Sequence, residues 1–203
     1  MNKRRRDWAD HWTRRAKAEG WRSRAAFKLA ELDRRHRLLA RGGRVADLGA
    51  APGGWSQYAA RRVSPGGRVV AVDLQVIRPI AGVRIVQGDI SRKAVREALR
   101  EALGGPADAV ISDLAPRLSG NRDFDQARSM DLAAMAMEAA LDLLRPGGAF
   151  VAKLFQGAGF EEFVRDARGK LAKARLRSPQ ASRKASRETY LVGYMRVQDD
   201  SLT

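Results

Sequence analysis

The chain has 203 residues, 44% hydrophobic and 31% charged, enough apolar material for one domain with its own core. It has no Cys and two His, His11 and His36, which excludes disulfides, thiolate metal sites, cysteine nucleophiles and any histidine-based triad or metal cluster. Lys and Arg number 39 against 23 Asp and Glu, and the formal net charge of +16 calls for a polyanionic partner such as nucleic acid.

A first helix is predicted over residues 8–18. Ser23 is placed to cap a second, in which Ala26, Phe27, Leu29, Ala30, Leu32 and Leu39 recur at near-helical spacing until Arg41-Gly42-Gly43 ends it. From residue 44 onward short apolar runs alternate with helical patterns. Strand 44–48 precedes helix 55–62, strand 68–72 follows, and strand 84–87 precedes helix 91–103. Strand 107–112 then leads to helix 125–144, and strand 149–154 to helix 160–167. Turn signals fall between them at Ser64-Pro65-Gly66-Gly67, Gly104-Gly105-Pro106 and Arg145-Pro146-Gly147-Gly148.

This alternation predicts an α/β fold, a doubly wound and mostly parallel sheet with helices on both faces. Two last strands, 173–177 and 189–197, are joined by a polar stretch without a helix, so they should run antiparallel as a hairpin-like pair at one edge of a seven-stranded sheet. With no repeat or linker in view, residues 1–203 read as a single domain, and residues 1–22 as its basic, Trp-rich extension. No run of about 18 apolar residues exists to span a bilayer, and the basic start has no apolar segment behind it. A soluble, cytoplasmic protein is expected, and a monomer, since nothing suggests an obligate interface.

The charge is unevenly placed. Residues 1–44 hold 15 basic and 5 acidic side chains, residues 45–164 hold 14 of each, and residues 165–196 hold 10 and 2. An arginine-rich proteome would raise the charge throughout, whereas two basic flanks around a neutral centre point to contact with nucleic acid. Phosphate contacts are expected from both flanks, from Arg14, Arg15, Arg22 and Lys173 among others. Trp8, Trp12 and Trp21 lie among the N-terminal arginines, where they could stack on exposed bases, or Trp8 and Trp12, four apart, could form an apolar helix stripe that packs on the domain.

Ligands of open α/β sheets bind at the carboxyl ends of the strands, beside the first strand. There the chain reads Asp47-Leu48-Gly49-Ala50-Ala51-Pro52-Gly53-Gly54-Trp55, whose glycine spacing is wrong for a dinucleotide. That spacing excludes a nicotinamide-dependent dehydrogenase. Asp47 suits an ammonium group better than a phosphate, while Gly49 and Gly53 allow close backbone approach. These features favour S-adenosylmethionine, which carries an amino-acid portion and no phosphate. Asp73, at the next strand end, is placed for ribose hydroxyls, Asp89 for the adenine amine, and Asp113 for the reacting end. Each alone is as compatible with a turn or cap.

The blocks from Asp47 to Gln57, Ser112-Asp113-Leu114-Ala115-Pro116, Lys153-Leu154-Phe155-Gln156-Gly157 and Ser186-Arg187-Glu188-Thr189-Tyr190 resemble the FtsJ/RrmJ family of S-adenosylmethionine-dependent ribose 2′-O-methyltransferases. The likeness runs from about Arg22 to Tyr194. It implies a Rossmann-like class I methyltransferase fold and a catalytic set at Lys28, Asp113, Lys153 and Glu188. It also implies cofactor contacts at Gly53, Trp55, Asp73, Asp89 and Asp113, and no metal. The implied substrate is large-subunit ribosomal RNA, at a uridine of the A loop, within the large ribosomal subunit. Arg117 departs from the family pattern, which has an uncharged polar residue there.

The chemistry fits such a set, because a ribose hydroxyl is a poor nucleophile facing a good electrophile, and catalysis must remove a proton and align three atoms. Lys153, inside the apolar run from Phe150 to Phe155, is the expected base. It must be neutral to act, which Lys28, a sulfonium and burial favour and Asp113 and Glu188 oppose. Asp113 is expected to orient Lys153, and Glu188 to position Lys28 or the ribose. Competing readings are a 2′-O-methyltransferase of tRNA or the mRNA cap, and a non-catalytic rRNA-binding assembly factor.

Overall fold

The computed structural model describes residues 3–117, 119–182 and 187–197, with side chains from residue 11 on, so the expectation for the Trp8 ring falls outside it. Seven strands are present: β1 (Arg44–Leu48), β2 (Arg68–Asp73), β3 (Val83–Gln87), β4 (Ala107–Ser112), β5 (Leu144–Phe155), β6 (Leu171–Arg177) and β7 (Glu188–Met195). Six helices accompany them: α1 (Lys3–Ala18), α2 (Ala25–His36), α3 (Gly54–Val63), α4 (Lys93–Leu103), α5 (Arg122–Leu143) and α6 (Phe160–Lys170).

The strands form one sheet in the order β3-β2-β1-β4-β5-β7-β6. β1 to β5 pair in parallel, while β7 is antiparallel to both β5 and β6, as a connection without a helix requires. The chain reverses direction across the sheet between β1 and β4, which puts the strand ends of both at the switch point where ligands bind.

Burial on both faces explains why the central strands read as continuous apolar runs: the last four residues of β1 and residues 69–72 of β2 are all buried. On one face Val45, Ile111, Val151, Tyr190 and Val192 pack against Leu29 and Leu32 of α2 and Trp55 and Ala59 of α3. The other face packs Val110, Phe150, Ala152 and Leu154 against α4, α5 and α6 through Leu99, Met137, Leu143 and Val164. Asn121 starts α5 by accepting from the backbone N–H groups of Asp123 and Phe124. Among the described residues no helix is long and apolar enough to cross a membrane.

Several boundaries differ from the sequence expectation. α1 starts at Lys3, not near residue 8. Arg24 occupies the N-cap of α2 and its side chain makes no capping bond, so Ser23 does not cap the helix. α2 stops at His36, where Arg37 turns left-handed at φ 52 and donates to the carbonyl of Asp33. Leu39 had extended the apolar period, but it is buried by a loop whose backbone N–H is bonded to the Asp33 carboxylate at 2.9 Å. The expected turn at residues 145–148 is a bulge inside β5, because Leu144 pairs with Ala107 and the ladder resumes at Ala149 and Ala109.

Candidate active site

The four strand-end acids lie on one edge, in different surroundings. Asp47 is fully buried in β1 and accepts from Ser56 Oγ of α3 at 2.6 Å. Its other oxygen is buried without a hydrogen-bond partner among the described residues. Burial pushes the Asp47 carboxyl up to about 7, against the pull of the Ser56 bond, and the charges of Asp113 and Asp73 add to the rise. Asp73 accepts from the backbone of Ala51 at 2.9 Å and of Gln75 at 2.8 Å, which ties the glycine loop to the end of β2. Asp89 accepts from the Ser91 N–H at 2.9 Å in a turn ahead of α4, and this bond holds its carboxyl below the usual range.

A cavity of about 230 Å³ opens beside β1 and β4, lined by Lys28, Asp47, Gly49, Trp55 and Asp113 together with Ser23. Thus five of the site residues expected from the sequence share one space, whereas Gly53, Asp73, Asp89, Lys153 and Glu188 do not line it. A larger depression of about 490 Å³ lies on the outer side of α3 and the loop at Pro79–Gly82, and holds none of these groups.

Glycine is required at Gly49 for packing as well as approach: φ is +71, and a Cβ would lie 2.5 Å from the Leu114 side chain. At Gly53 the φ of +106 forms the left-handed entry to α3. Trp55 is 2% exposed, donates its indole N–H to the carbonyl of Ala25 at 2.8 Å and lies 5.7 Å from the Tyr190 ring. It pins the start of α2 to α3 and lines the cavity wall with its indole committed.

Two half-buried ion pairs stand beside the cavity through Lys28 and Asp113. Lys28 Nζ donates to Glu188 Oε1 at 2.6 Å, and Lys153 Nζ donates to Asp113 at 2.9 Å (Oδ1) and 2.7 Å (backbone carbonyl). The four residues expected from the sequence are therefore brought together, from α2, the end of β4, β5 and β7. Tyr190 joins the pairs and was missed. Its hydroxyl lies 3.2 Å from Lys28 Nζ, 2.9 Å from Glu188 Oε1 and 3.3 Å from Asp113 Oδ1. The signal was there, since residues two apart on a strand share a face and Glu188 and Tyr190 are so placed.

Burial raises the Tyr190 hydroxyl well above its ordinary value, with the charges of Asp113 and Glu188 adding to it, so it stays protonated. Burial alone would raise Glu188 too, but the Lys28 charge and hydrogen bonds from Lys28, Ser182 and Tyr190 outweigh it and hold the carboxyl low.

The aromatic extension is tied to the domain. Trp12 lies 5.2 Å from the Phe27 ring with the Arg15 guanidinium over both, and Trp21 is covered by Arg61 at 4.1 Å. For Trp12 the packing alternative is the one observed. The guanidinium of Arg22 donates to the carbonyls of Pro52, Arg78 and Pro79, so it clasps the glycine loop.

The FtsJ-like methyltransferase profile matches residues 21–196. A protein of Methanothrix thermoacetophila named ribosomal RNA large subunit methyltransferase E is 48% identical over 188 residues, which cover 93% of this chain and 73% of that protein. A protein of the same name from Alkalilimnicola ehrlichii is 47% identical over 185 residues, 91% of this chain and 88% of that protein. A crystal structure described as a ribosomal RNA methyltransferase from Plasmodium falciparum superposes with a TM-score of 0.78 at 27% identity, covering 87% of this chain and 98% of that one. Matched by this profile over most of its length, the chain belongs to the FtsJ-like methyltransferase family.

Proposed function

We propose that the protein methylates a ribose 2′-hydroxyl of large-subunit ribosomal RNA with S-adenosylmethionine, and that Lys28, Asp113, Lys153 and Glu188 carry the reaction. The names of the relatives support the RNA class. The observation that carries the hydroxyl chemistry is the bonded chain Lys28-Glu188-Tyr190-Asp113-Lys153, of which Lys28 and Asp113 line the cavity.

The cavity fits the amino-acid end of that cofactor. Two buried polar atoms on it, Asp47 Oδ1 and Ser23 Oγ, have no hydrogen-bond partner among the described residues. Such atoms cost about 1–3 kcal/mol each when left unpaired. An ammonium beside Asp47 and a carboxylate beside Ser23 would satisfy both. Gly49 and Trp55 would frame this end, with Gly53 at the entry to α3 beside it and Asp73 and Asp89 holding the ribose and adenine along the same sheet edge. When bound, the cofactor supplies an electrophilic methyl group whose C–S bond breaks as the new O–C bond forms, leaving a thioether.

The chain's own residues handle the proton. Lys153 gives two N–H bonds to Asp113, to its carboxylate and its carbonyl, which fixes the amine and leaves the third direction of Nζ for the substrate. In the neutral amine that direction carries the lone pair, which would accept the proton of the 2′-hydroxyl. Lys28, held by Glu188 and Tyr190, has its remaining N–H for the charge developing on that oxygen. The family resemblance points to a uridine of the A loop on the assembled subunit as the target.

The test is labelled methyl transfer to large ribosomal subunits from cells lacking the enzyme, to free ribosomal RNA, and to tRNA. Label in large-subunit RNA at one ribose is the expected result. Label in tRNA alone would transfer the assignment to that substrate, and binding without label would make the protein an assembly factor.

A further inference from the structure

The two basic flanks, far apart in sequence, meet at one place. α2 ends in Arg34, Arg35 and His36, and β6 brings Arg175 and Arg177 against it, where Arg177 Nε donates to His36 Nε2 at 3.0 Å. The carbonyl of His36 accepts from Tyr194 of β7 at 2.6 Å, which locks the helix end to the sheet. Burial, then the charges of Arg177, Arg175 and Arg35, hold the imidazole below its ordinary range. His36 is thus a neutral acceptor that aims a guanidinium without cancelling its charge.

The anions here fall short of the cations. Glu31 pairs with Arg35 at 2.9 Å, and also accepts from the backbone of Gln180 at 2.7 Å. Among the described residues no carboxylate forms an ion pair with Arg175 or Arg177. Arg35 and Arg175 are exposed, and Arg177 is half-buried. Like charges gathered this way repel one another, and an incoming anion removes the cost.

The position relative to the reacting groups gives the patch its meaning. Arg35 follows Lys28 by seven residues, two helical turns, so both lie on one side of α2 about 10 Å apart along its axis. A stacked strand carries one phosphate per about 3.4 Å, so this is about three nucleotides.

We propose that Arg35, Arg175 and Arg177, with His36 orienting the last, form a phosphate subsite for the substrate RNA about three nucleotides along the strand from the ribose at Lys28. This rests on the reading of RNA as the substrate. Arg177 also donates from Nη1 to the carbonyl of Leu176 at 2.9 Å, which leaves its Nη2 group for a phosphate, and guanidinium–phosphate bonds at this distance set the register in which a strand crosses the catalytic lysines.

The test compares Arg175→Gln/Arg177→Gln with Arg84→Gln/Lys93→Gln, which removes the same charge on β3 and α4 toward the opposite sheet edge. The probe is a fluorescent transcript of large-subunit ribosomal RNA, titrated at several salt concentrations, with thermal melting as the check on folding. The first pair is expected to flatten the plot of log affinity against log salt by about 1.4, two contacts at about 0.7 each. It should raise KM for RNA about tenfold, with kcat at saturating RNA and cofactor affinity unchanged. The second pair should match the wild type. Should the first pair fail to fold, the exposed Arg175→Gln alone is expected to flatten the slope by about 0.7. Equal losses in both pairs, or no loss in either, would overturn the subsite. A wild-type chain that shows no salt-dependent binding would instead remove the RNA reading itself.

Discussion

Tyr190 and Lys153 face each other as partners across the antiparallel β5–β7 ladder, and both reach the same oxygen of Asp113, the lysine at 2.9 Å and the tyrosine at 3.3 Å. The tyrosine has one proton and two carboxylates within reach, Asp113 and Glu188, and it can donate to one at a time. Whichever it chooses, the other carboxylate is left more strongly coupled to its own lysine.

Tyr190→Phe keeps the packing and deletes this choice. The variant should fold, lose about 1.5–3 kcal/mol of stability from a bond to a charged group, and lower kcat about tenfold with little change in KM for either substrate. Its rate against pH should shift relative to the wild type, because Asp113 then answers to Lys153 alone. A purely structural tyrosine would lower stability and leave the pH profile where it was.

Removing either lysine tests the division of labour. Lys153→Met should reduce kcat by about 10²–10⁴-fold, the usual share of a general base, with cofactor affinity retained. Lys28→Met takes the facing positive charge from the half-buried Glu188, which keeps its hydrogen bonds from Ser182 and Tyr190, so it should cost about 1–3 kcal/mol of stability in addition to rate. Calorimetric melting of the two variants separates these effects.

Asp47 gives a pH signature. Its carboxyl titrates near 7 when folded against about 4 when unfolded, so the folded chain holds the extra proton between those values. Its contribution therefore makes stability fall as pH rises from about 4 to about 7, then level off. Asp47→Asn should flatten that stretch of the melting curve and weaken cofactor binding. An ammonium seated beside Asp47 favours the charged form, so cofactor binding near pH 7 should release part of a proton. Titration calorimetry in buffers of different ionisation enthalpy reads this release, which the variant should abolish.

Strand positions were legible because a parallel sheet buried on both faces writes itself as short apolar runs, and β1 and β4 fall where those runs stand. The end of α2 was not, because a left-handed arginine replaces the usual glycine at residue 37 and Leu39 prolongs the helical period from within a loop. The charged set was readable through resemblance, since Lys28 and Glu188 look like surface residues until tertiary pairing buries both. Ser23 read as a helix cap, and only the fold turns its hydroxyl into a buried atom on the cavity wall. The indole of Trp55 and the guanidinium of Arg22 are committed to backbone carbonyls, a use that composition cannot distinguish from ligand binding.

The central claim, proton removal from a ribose hydroxyl by Lys153, is tested most directly by mapping the labelled methyl in large-subunit RNA after reaction with the wild type and with Lys153→Met. A 2′-O-methyl blocks alkaline cleavage at its own nucleotide, so the account predicts label in one alkali-resistant dinucleotide for the wild type and almost none for the variant. Label on a base, or label undiminished in Lys153→Met with cofactor bound, would contradict it.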